Sequence, residues 1–252
     1  MIEIRNVSKS FLQNYQDEHL SILHNISLDI RDKEFVSLVG PSGCGKSTLL
    51  RILAGLLKPD EGDVFVGGKK VERPESSRCM VFQDYVLFPW MTVWNNIALG
   101  LKVKKYKKEE IWRKVSWAVE LVSLNGFEKS YPHQLSGGMR QRVAIARALV
   151  MNPEILLMDE PFGALDSFTR MKLQDELVNL CRKKDFTTIF VTHDCDEAVY
   201  LSDKVVVFSG SPAEVKEIVD VDLPRPRNRT SPKFTEIRNH ILNVSCEEKK
   251  IV

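Results

Sequence analysis

The sequence predicts an α/β fold: a largely parallel sheet, wound with helices, around a phosphate-binding loop. Three observations predict it. The stretch Val39-Gly40-Pro41-Ser42-Gly43-Cys44-Gly45-Lys46-Ser47-Thr48 fits G-x-x-x-x-G-K-[ST]. An apolar run, Phe35-Val36-Ser37-Leu38-Val39, leads in as a buried strand, and Thr48-Leu49-Leu50-Arg51-Ile52-Leu53-Ala54 leads out as a helix. Further short apolar runs alternate with helical stretches along the chain, the pattern of a doubly wound sheet.

Each part of the loop has a chemical reason. Gly40, Gly43 and Gly45 permit backbone conformations that side chains would block. The loop amides and the helix N-terminus can then cradle phosphate oxygens. Lys46 is expected to reach the β- and γ-phosphates, and the Ser47 hydroxyl to hold Mg²⁺. Gly40, Pro41, Ser42, Gly43, Cys44, Gly45, Lys46, Ser47 and Thr48 are therefore the nucleotide-binding residues of this stretch. A glycine-rich turn that happens to contain a lysine is the bland alternative, and the strand–loop–helix context weighs against it.

Composition bounds the rest. The 252 residues allow one large domain or two lobes, and 43% hydrophobic with 28% charged residues is ordinary for a globular protein. A formal charge of +2 predicts no nucleic-acid partner. No run approaches the roughly 18 apolar residues of a membrane span, and the N-terminus has no signal-peptide shape. A cytoplasmic location is expected, with any membrane role coming through a partner. Cys44, Cys79, Cys181, Cys195 and Cys246 are scattered and odd in number, so neither a disulfide framework nor a zinc site is expected. Cys44 contributes its amide to the loop, and redox sensing through its sulfur is the minor alternative.

Before the loop strand, Ile2, Ile4, Ile22, Leu23, Ile26, Leu28 and Ile30 alternate as short strands around a polar loop, residues 13–19. Phe11 is either a core phenylalanine or an aromatic that stacks on a base. Gly55 and Lys58-Pro59-Asp60-Glu61-Gly62 end the loop helix, and residues 63–69 read as a strand and turn. Cys79-Met80-Val81-Phe82-Gln83 is a further short strand ending on a polar residue. From about residue 88 to 150 the pattern is helical, with Thr92 placed to cap one helix and residues 109–122 showing helical apolar spacing. Lys102-Val103-Lys104-Lys105-Tyr106-Lys107-Lys108 is most simply a solvated loop, the sharper reading being contact with an anionic membrane. Strands at 155–159, 187–191, 204–208 and 215–223 alternate with helices at 169–182 and 196–201. Pro224-Arg225-Pro226-Arg227 breaks the fold, and Ser231-Pro232 opens a short helix with Phe234, Ile237, Ile241 and Leu242 on its apolar side.

Gln83, Asp159-Glu160 and His193 all fall at strand carboxyl ends, as the phosphate loop does, and ligands of such sheets bind there. Asp159 is placed to hold Mg²⁺ through water, and Glu160 to polarise a water for attack on the γ-phosphorus. Alternation along a strand would aim the two carboxylates to different sides; two ordinary loop acids are the alternative. Leu135-Ser136-Gly137-Gly138-Met139 opens a helix, either simply capped or a second anion site.

Together these motifs resemble the ATP-binding-cassette (ABC) family over residues 1 to about 223. Gly40 to Thr48 is the Walker A loop, Gln83 the Q-loop glutamine, and Leu135-Ser136-Gly137-Gly138 the signature. Asp159-Glu160 is the Walker B pair, Ala164-Leu165-Asp166 the D-loop, and His193 the H-loop histidine. Met139 departs from the glutamine frequent in the family. The resemblance implies a P-loop NTPase (RecA-like) core with antiparallel β strands specific to the family and an inserted α-helical subdomain. The core is expected over residues 1–87 and 151–223, the helical signature subdomain over 88–150, and a tail with a short helix over 224–252. It also implies ATP and Mg²⁺ as ligands, with Glu160 and His193 catalytic and Ser47, Gln83 and Asp159 on the metal. Ser136, Gly137, Gly138 and Asp166 would join Phe11 and the loop in nucleotide binding, although the base-stacking aromatic lies between Phe11 and Tyr15. Two copies would dimerise head to tail around two ATPs.

The segments Gln83-Asp84-Tyr85-Val86-Leu87-Phe88-Pro89-Trp90 and Leu223-Pro224-Arg225-Pro226-Arg227 are similar to those of importer ATPases for nitrate, sulfonate, taurine and related compounds. This implies an ATPase subunit at the cytoplasmic face of the cell membrane, coupled to a separate permease and indirectly to a solute-binding protein. In such importers the aromatic segment flanks the groove that receives a permease helix, against the bland reading of Phe88 and Trp90 as core. A soluble ABC ATPase of repair, ribosome or iron–sulfur assembly is the alternative.

Overall fold

A computed structural model describes residues 1–12, 19–184 and 186–246. In chain order the described elements are β1 (Ile2–Leu12), β2 (His19–Ile30), β3 (Phe35–Val39), α1 (Lys46–Leu53), β4 (Glu61–Val66), β5 (Lys69–Lys70), β6 (Arg78–Val81), α2 (Val93–Val103) and α3 (Lys108–Leu121). A 3₁₀ turn (Pro132–Gln134) follows, then α4 (Gly137–Leu149), β7 (Ile155–Asp159), α5 (Ser167–Lys184), β8 (Thr187–Val191), α6 (Cys195–Leu201), β9 (Lys204–Phe208), β10 (Val215–Asp220) and α7 (Pro232–Cys246). The chain divides into one unit of residues 1–75 and 187–252 and another of residues 76–186.

The first unit carries both kinds of sheet. In the antiparallel one the order is β2-β1-β4-β5. Ile2, Ile4 and Val7 on β1 meet Ile30, Leu28 and Ile26 on β2, and all six are buried. The two strands are long rather than short, with 11 and 12 residues, because they bend without separating. Register irregularities fall between Ile4 and Ser10, where Asn6 and Asn25 take left-handed backbones and Asn6 Nδ2 donates to Asn25 Oδ1 at 2.8 Å. Gly62 on the neighbouring β4 is left-handed too, and a Cβ there would lie 2.3 Å from the Arg5 and Asn6 carbonyl oxygens.

The second sheet of this unit places β3 between β8 and β9, parallel to both, with β10 antiparallel on β9. Every residue of β3, β8 and β9 is buried, as continuous apolar runs covered on both faces require. On one face α6 and α7 build a core from Val39, Ala198, Val199, Val205, Val207, Phe234, Ile241 and Val244. The tail helix is longer than a short one, and its buried side runs through Phe234, Ile241 and Val244, with Ile237 packed beside it. Leu242 faces out, one residue off that stripe.

The other unit pairs β6 parallel to β7 and packs α2 against α3 and α4. Thr92 caps α2 by accepting from the Asn95 amide at 3.3 Å. Inside α2, buried Asn96 accepts from Phe88 N at 2.9 Å and donates to the carbonyls of Phe88, Met91 and Thr92 at 3.0–3.2 Å. One amide thereby fixes the aromatic segment on the helix. Arg142 of α4 donates to the carbonyls of Val122 and Ser123 at the end of α3, and burial pushes its pKa down. Lys102, Lys104, Lys105, Lys107 and Lys108 stay exposed at the α2–α3 corner.

The Pro-Arg-Pro-Arg segment does more than end the fold. Arg227 is buried and donates to the carbonyls of Val199, Tyr200, Ser202, Val221 and Leu223. Burial, then the neighbouring Arg225 charge, lowers its pKa to about 10. Arg225 donates to Leu201 O at 2.6 Å, Tyr200 O at 3.3 Å and Asp203 Oδ1 at 3.0 Å. The two guanidiniums cap the carboxyl end of α6. Removing buried Arg227 leaves several carbonyls unsatisfied, so Arg227→Met is expected to lower unfolding free energy by about 3 kcal/mol. Arg225→Met, at a more open site, is expected to cost about 1 kcal/mol; urea denaturation of both variants measures the difference.

Candidate nucleotide-binding site

The phosphate loop joins the end of β3 to the start of α1. Gly40 passes so close to β9 that a Cβ would lie 3.0 Å from Phe208 Cβ and O. Gly45 holds φ 118°, and a Cβ there would lie 2.8 Å from side-chain carbons of Ile22 and Leu23 and 2.9 Å from Ile22 O. Gly43 is also left-handed, at φ 79°, but with open space around it. Lys46 is only 5% exposed. Its chain curls back over the loop, where Nζ donates to Gly40 O at 2.8 Å and Pro41 O at 2.6 Å. Cys44, buried beneath, brings its Sγ to 3.6 Å of the same nitrogen, which puts its sulfur out of reach for redox sensing.

The electrostatics of this loop select an anion. Among the described residues no carboxylate pairs with Lys46, so a buried ammonium is held by two carbonyl dipoles and the Cys44 sulfur. It sits at the amino end of α1, whose N-cap Gly45 has no side chain to cap the first amides. Helix dipole and ammonium are both positive there. The phosphates of a nucleotide fit that cradle, with Lys46 and the loop amides on the β- and γ-phosphates and the Ser47 hydroxyl placed at the second helical residue for a metal ion.

His193 belongs to the same unit. Leu38 on β3 pairs with Val191 on β8, so the chain leaves β8 at the level where β3 gives way to the phosphate loop. Exposed His193 follows at that edge. Phe11, near the end of β1, is 41% exposed with Lys9 Nζ 5.5 Å from its ring centroid, so it is no core phenylalanine. Tyr15 lies outside the described residues.

The remaining motifs belong to the other unit. Asp159 is the buried last residue of β7. Glu160 follows with a left-handed backbone, φ 44°, and its carbonyl accepts from Gly163 N at 3.3 Å. The strand has ended there, so a left-handed turn sets the direction of Glu160 in place of strand alternation; such a backbone costs a non-glycine residue about 1–2 kcal/mol. Asp166 Oδ1 accepts from Thr169 N at 3.0 Å at the start of α5, and these Thr169 hydrogen bonds hold its carboxyl below the usual range. Ser136 caps α4 by accepting from Met139 N at 3.2 Å, which leaves its hydroxyl proton available to a phosphate. Gly138 lies against the D-loop, where a Cβ would be 3.2 Å from Ala164 O.

Gln83 is exposed two residues past β6, beyond the strand end expected for it. Trp90 is 70% exposed, so it is no core residue, and it stacks at a tilt with half-buried Phe88, 5.6 Å between centroids. Arg147 spans this segment, donating to Val86 O at 2.8 Å with its guanidinium 5.9 Å from the Phe88 ring; burial lowers its pKa. Sequence reasoning passed over Tyr85. Its hydroxyl would meet a Cβ on Gly137 at 2.9 Å and its ring underlies the Arg140 guanidinium at 5.1 Å, tying Q-loop to signature. The available signal was the pair of glycines, which call for a close neighbour.

A sequence profile described as ABC transporter matches residues 23–163. The chain belongs to the ABC transporter family. An uncharacterized ABC transporter ATP-binding protein of Methanocaldococcus jannaschii is 50% identical over 247 residues, covering 98% of this chain and 92% of the relative. Proteins named aliphatic sulfonates import ATP-binding protein are 49% identical in Bacillus cereus, over 96% of this chain and 94% of the relative, and 48% in Bacillus subtilis, over 93% and 90%. Among solved structures, a dimeric ATP-binding cassette in a post-hydrolysis state with ADP and Pi is similar at TM-score 0.80 and 34% identity, covering 89% of this chain and all of that one. A dimeric bacterial ABC transporter cassette is similar at TM-score 0.81 and 35% identity. This ABC protein is thus an ATP-binding, ATP-hydrolysing transporter subunit with the P-loop fold expected, and a non-transport role is disfavoured. No helix among the described residues is long and apolar enough to cross a membrane.

The two left-handed glycines separate sterics from backbone strain. Gly45→Ala drives a Cβ into Ile22 and Leu23 and is expected to abolish binding of a fluorescent ATP analogue. Gly43→Ala meets nothing and carries only left-handed strain of about 1 kcal/mol, so binding is expected to weaken by no more than about tenfold.

Proposed function

We propose that this subunit powers uptake of an aliphatic sulfonate or a closely related small organic anion through a separate permease. The observation that carries the solute class is the naming of relatives 48–49% identical over more than nine-tenths of this chain. The exposed Phe88–Trp90 segment, held on α2 by Asn96 and on α4 by Arg147, supports a permease helix as the neighbour of that surface. The subunit then works at the cytoplasmic face of the membrane as a peripheral partner.

In this reading two copies enclose two ATPs head to tail, which the dimeric relatives support. Lys46 and the residues from Gly40 to Thr48 bind the phosphates, and Phe11 stacks on the base. Ser47, Gln83 and Asp159 hold Mg²⁺, which when bound neutralises charge on the β- and γ-phosphates. Glu160 orients and polarises the attacking water, and His193 contacts the γ-phosphate. Ser136, Gly137 and Gly138 of the second copy close on the nucleotide, beside the D-loop Asp166. The buried setting of Lys46, with no carboxylate paired to it among the described residues, and the hydroxyl proton that Ser136 keeps while accepting from Met139 N support these roles.

The test is to tag Glu160→Gln, trap it with ATP in native membranes and identify what co-purifies. Expected are a slow enzyme that still binds ATP and dimerises, and a polytopic permease bound to it. The assembled wild-type complex in proteoliposomes should then raise its ATPase rate with an alkanesulfonate-loaded binding protein. Recovery of soluble partners alone would overturn the transport reading, and stimulation by a different solute class would overturn the sulfonate.

A further inference from the structure

His193 stands in a turn whose two neighbours are tied down by buried hydrogen bonds. Before it, Thr192 is 2% exposed, and its hydroxyl donates to Glu197 Oε2 at 2.7 Å. After it, the Asp194 amide donates back to the Thr192 hydroxyl at 3.0 Å. Asp194 Oδ1 then accepts from Asp196 N at 2.8 Å and from Glu197 N at 3.4 Å, starting α6. Glu197 itself is 7% exposed. Burying a carboxylate has a cost that hydrogen bonding helps to offset, and one of its oxygens accepts from the hydroxyl next to the histidine. The imidazole, by contrast, belongs to an exposed residue.

This arrangement separates backbone from side chain. Thr192 N also donates to Leu38 O at 3.3 Å, so the turn is anchored on β3, the strand that feeds the phosphate loop. From β3 the constraint runs through the Thr192 hydroxyl to Glu197 on α6, and around His193 through the Asp194 amide. The links join the carboxyl-end edge of the sheet to the first turns of α6. The histidine can therefore reach outward only from a fixed base.

We propose that Thr192 and Glu197 are positioning residues for His193, their buried hydrogen bond setting the turn from which the imidazole addresses the γ-phosphate. The inference rests on the role given to His193 above. Thr192 and Glu197 touch no substrate; they act by limiting the orientations the histidine backbone can take, and small misplacements of such groups cost rate more than binding.

Three variants test it in the full-length protein. Thr192→Val keeps the shape and deletes the hydroxyl, Thr192→Ser restores the hydroxyl, and Glu197→Met deletes the acceptor. Thr192→Val and Glu197→Met are expected to lower kcat about tenfold with KM for ATP changed less than about twofold, and Thr192→Ser to keep kcat within about twofold. The positional readout is histidine ¹³Cε1 NMR with a non-hydrolysable ATP analogue. Thr192→Val is expected to broaden or split the His193 resonance and leave the other four histidines as they were. A drop in kcat with an unchanged His193 resonance overturns the proposal, as does wild-type kcat in Thr192→Val, or failure of Thr192→Ser to recover it. If Glu197→Met does not fold, the Thr192 pair alone decides. Wild-type turnover in His193→Ala would instead overturn the role of His193, a result that the NMR comparison keeps distinct from the hydrogen bond.

Discussion

The parallel register of β8, β3 and β9 is the constraint on which the rest of this site depends. Parallel strands in register bring their carboxyl ends to one edge. Pairing of Leu38 with Val191 sets the level at which Gly40 and Thr192 leave the sheet. Pairing of Val39 with Val207 brings Phe208 beside Gly40, so that a Cβ there would crowd Phe208 at 3.0 Å. A one-residue slip of β8 would turn its core-facing side chains over and move His193 away from the phosphate edge. The complete burial of these strands opposes such a slip, since any slip would expose apolar surface or bury the polar residues at their ends.

On that edge the site gathers positive potential without a fixed negative partner. A buried lysine bound to neutral carbonyl oxygens and a thiol, with no carboxylate partner among the described residues, is a costly element in a folded chain. Lys46 is tolerated because the loop carbonyls of Gly40 and Pro41 accept hydrogen bonds from its ammonium, and a phosphate would supply the anion that these dipoles stand in for. The same loop illustrates why glycine is spent unevenly. At Gly45 both the backbone and the neighbours forbid a side chain; at Gly43 the backbone alone resists one. A motif written as three glycines hides two different physical demands.

Most of the fold was legible from period and punctuation. Continuous apolar runs ending on Val39, Asp159 and Val191 announced strands buried on both faces, and Thr92 and Ser136 announced helix starts that the structure caps with those side chains. The bend shared by Asn6, Asn25 and Gly62 was not legible. It arises where three strands cross, and no single segment carries its signal. Glu160 shows another limit. A continuous apolar run ending in two acids suggested strand geometry through it, while the chain turns left-handed at that position. Trp90 and Tyr85 depend on tertiary neighbours, an exposed surface and the space above Gly137, which a sequence pattern cannot contain. Gln83 was expected as the last residue of its strand, whereas β6 ends two residues earlier at Val81, because a polar residue after an apolar run marks a strand end only to within that margin.

The tail matters for the same reason that α6 is short. Seven residues cannot hold a helix by their own hydrogen bonds. Its first turn is held by Asp194 from within and by Arg229 and Arg238, both paired to Asp196, from the tail. Its last turn is held by Arg225 and Arg227 on the open carbonyls, and the Arg229 guanidinium lies 3.8 Å over Tyr200. Beneath it, Phe234 and Ile241 close the core. The helix that follows His193 thus takes its geometry from residues well past it in the chain, including the Pro-Arg-Pro-Arg segment whose sequence reads as an ending. Because α6 is fixed at both ends, Glu197 in its middle has a defined place from which to hold Thr192. The stability of the tail and the aim of the histidine are in this way two consequences of one packing arrangement.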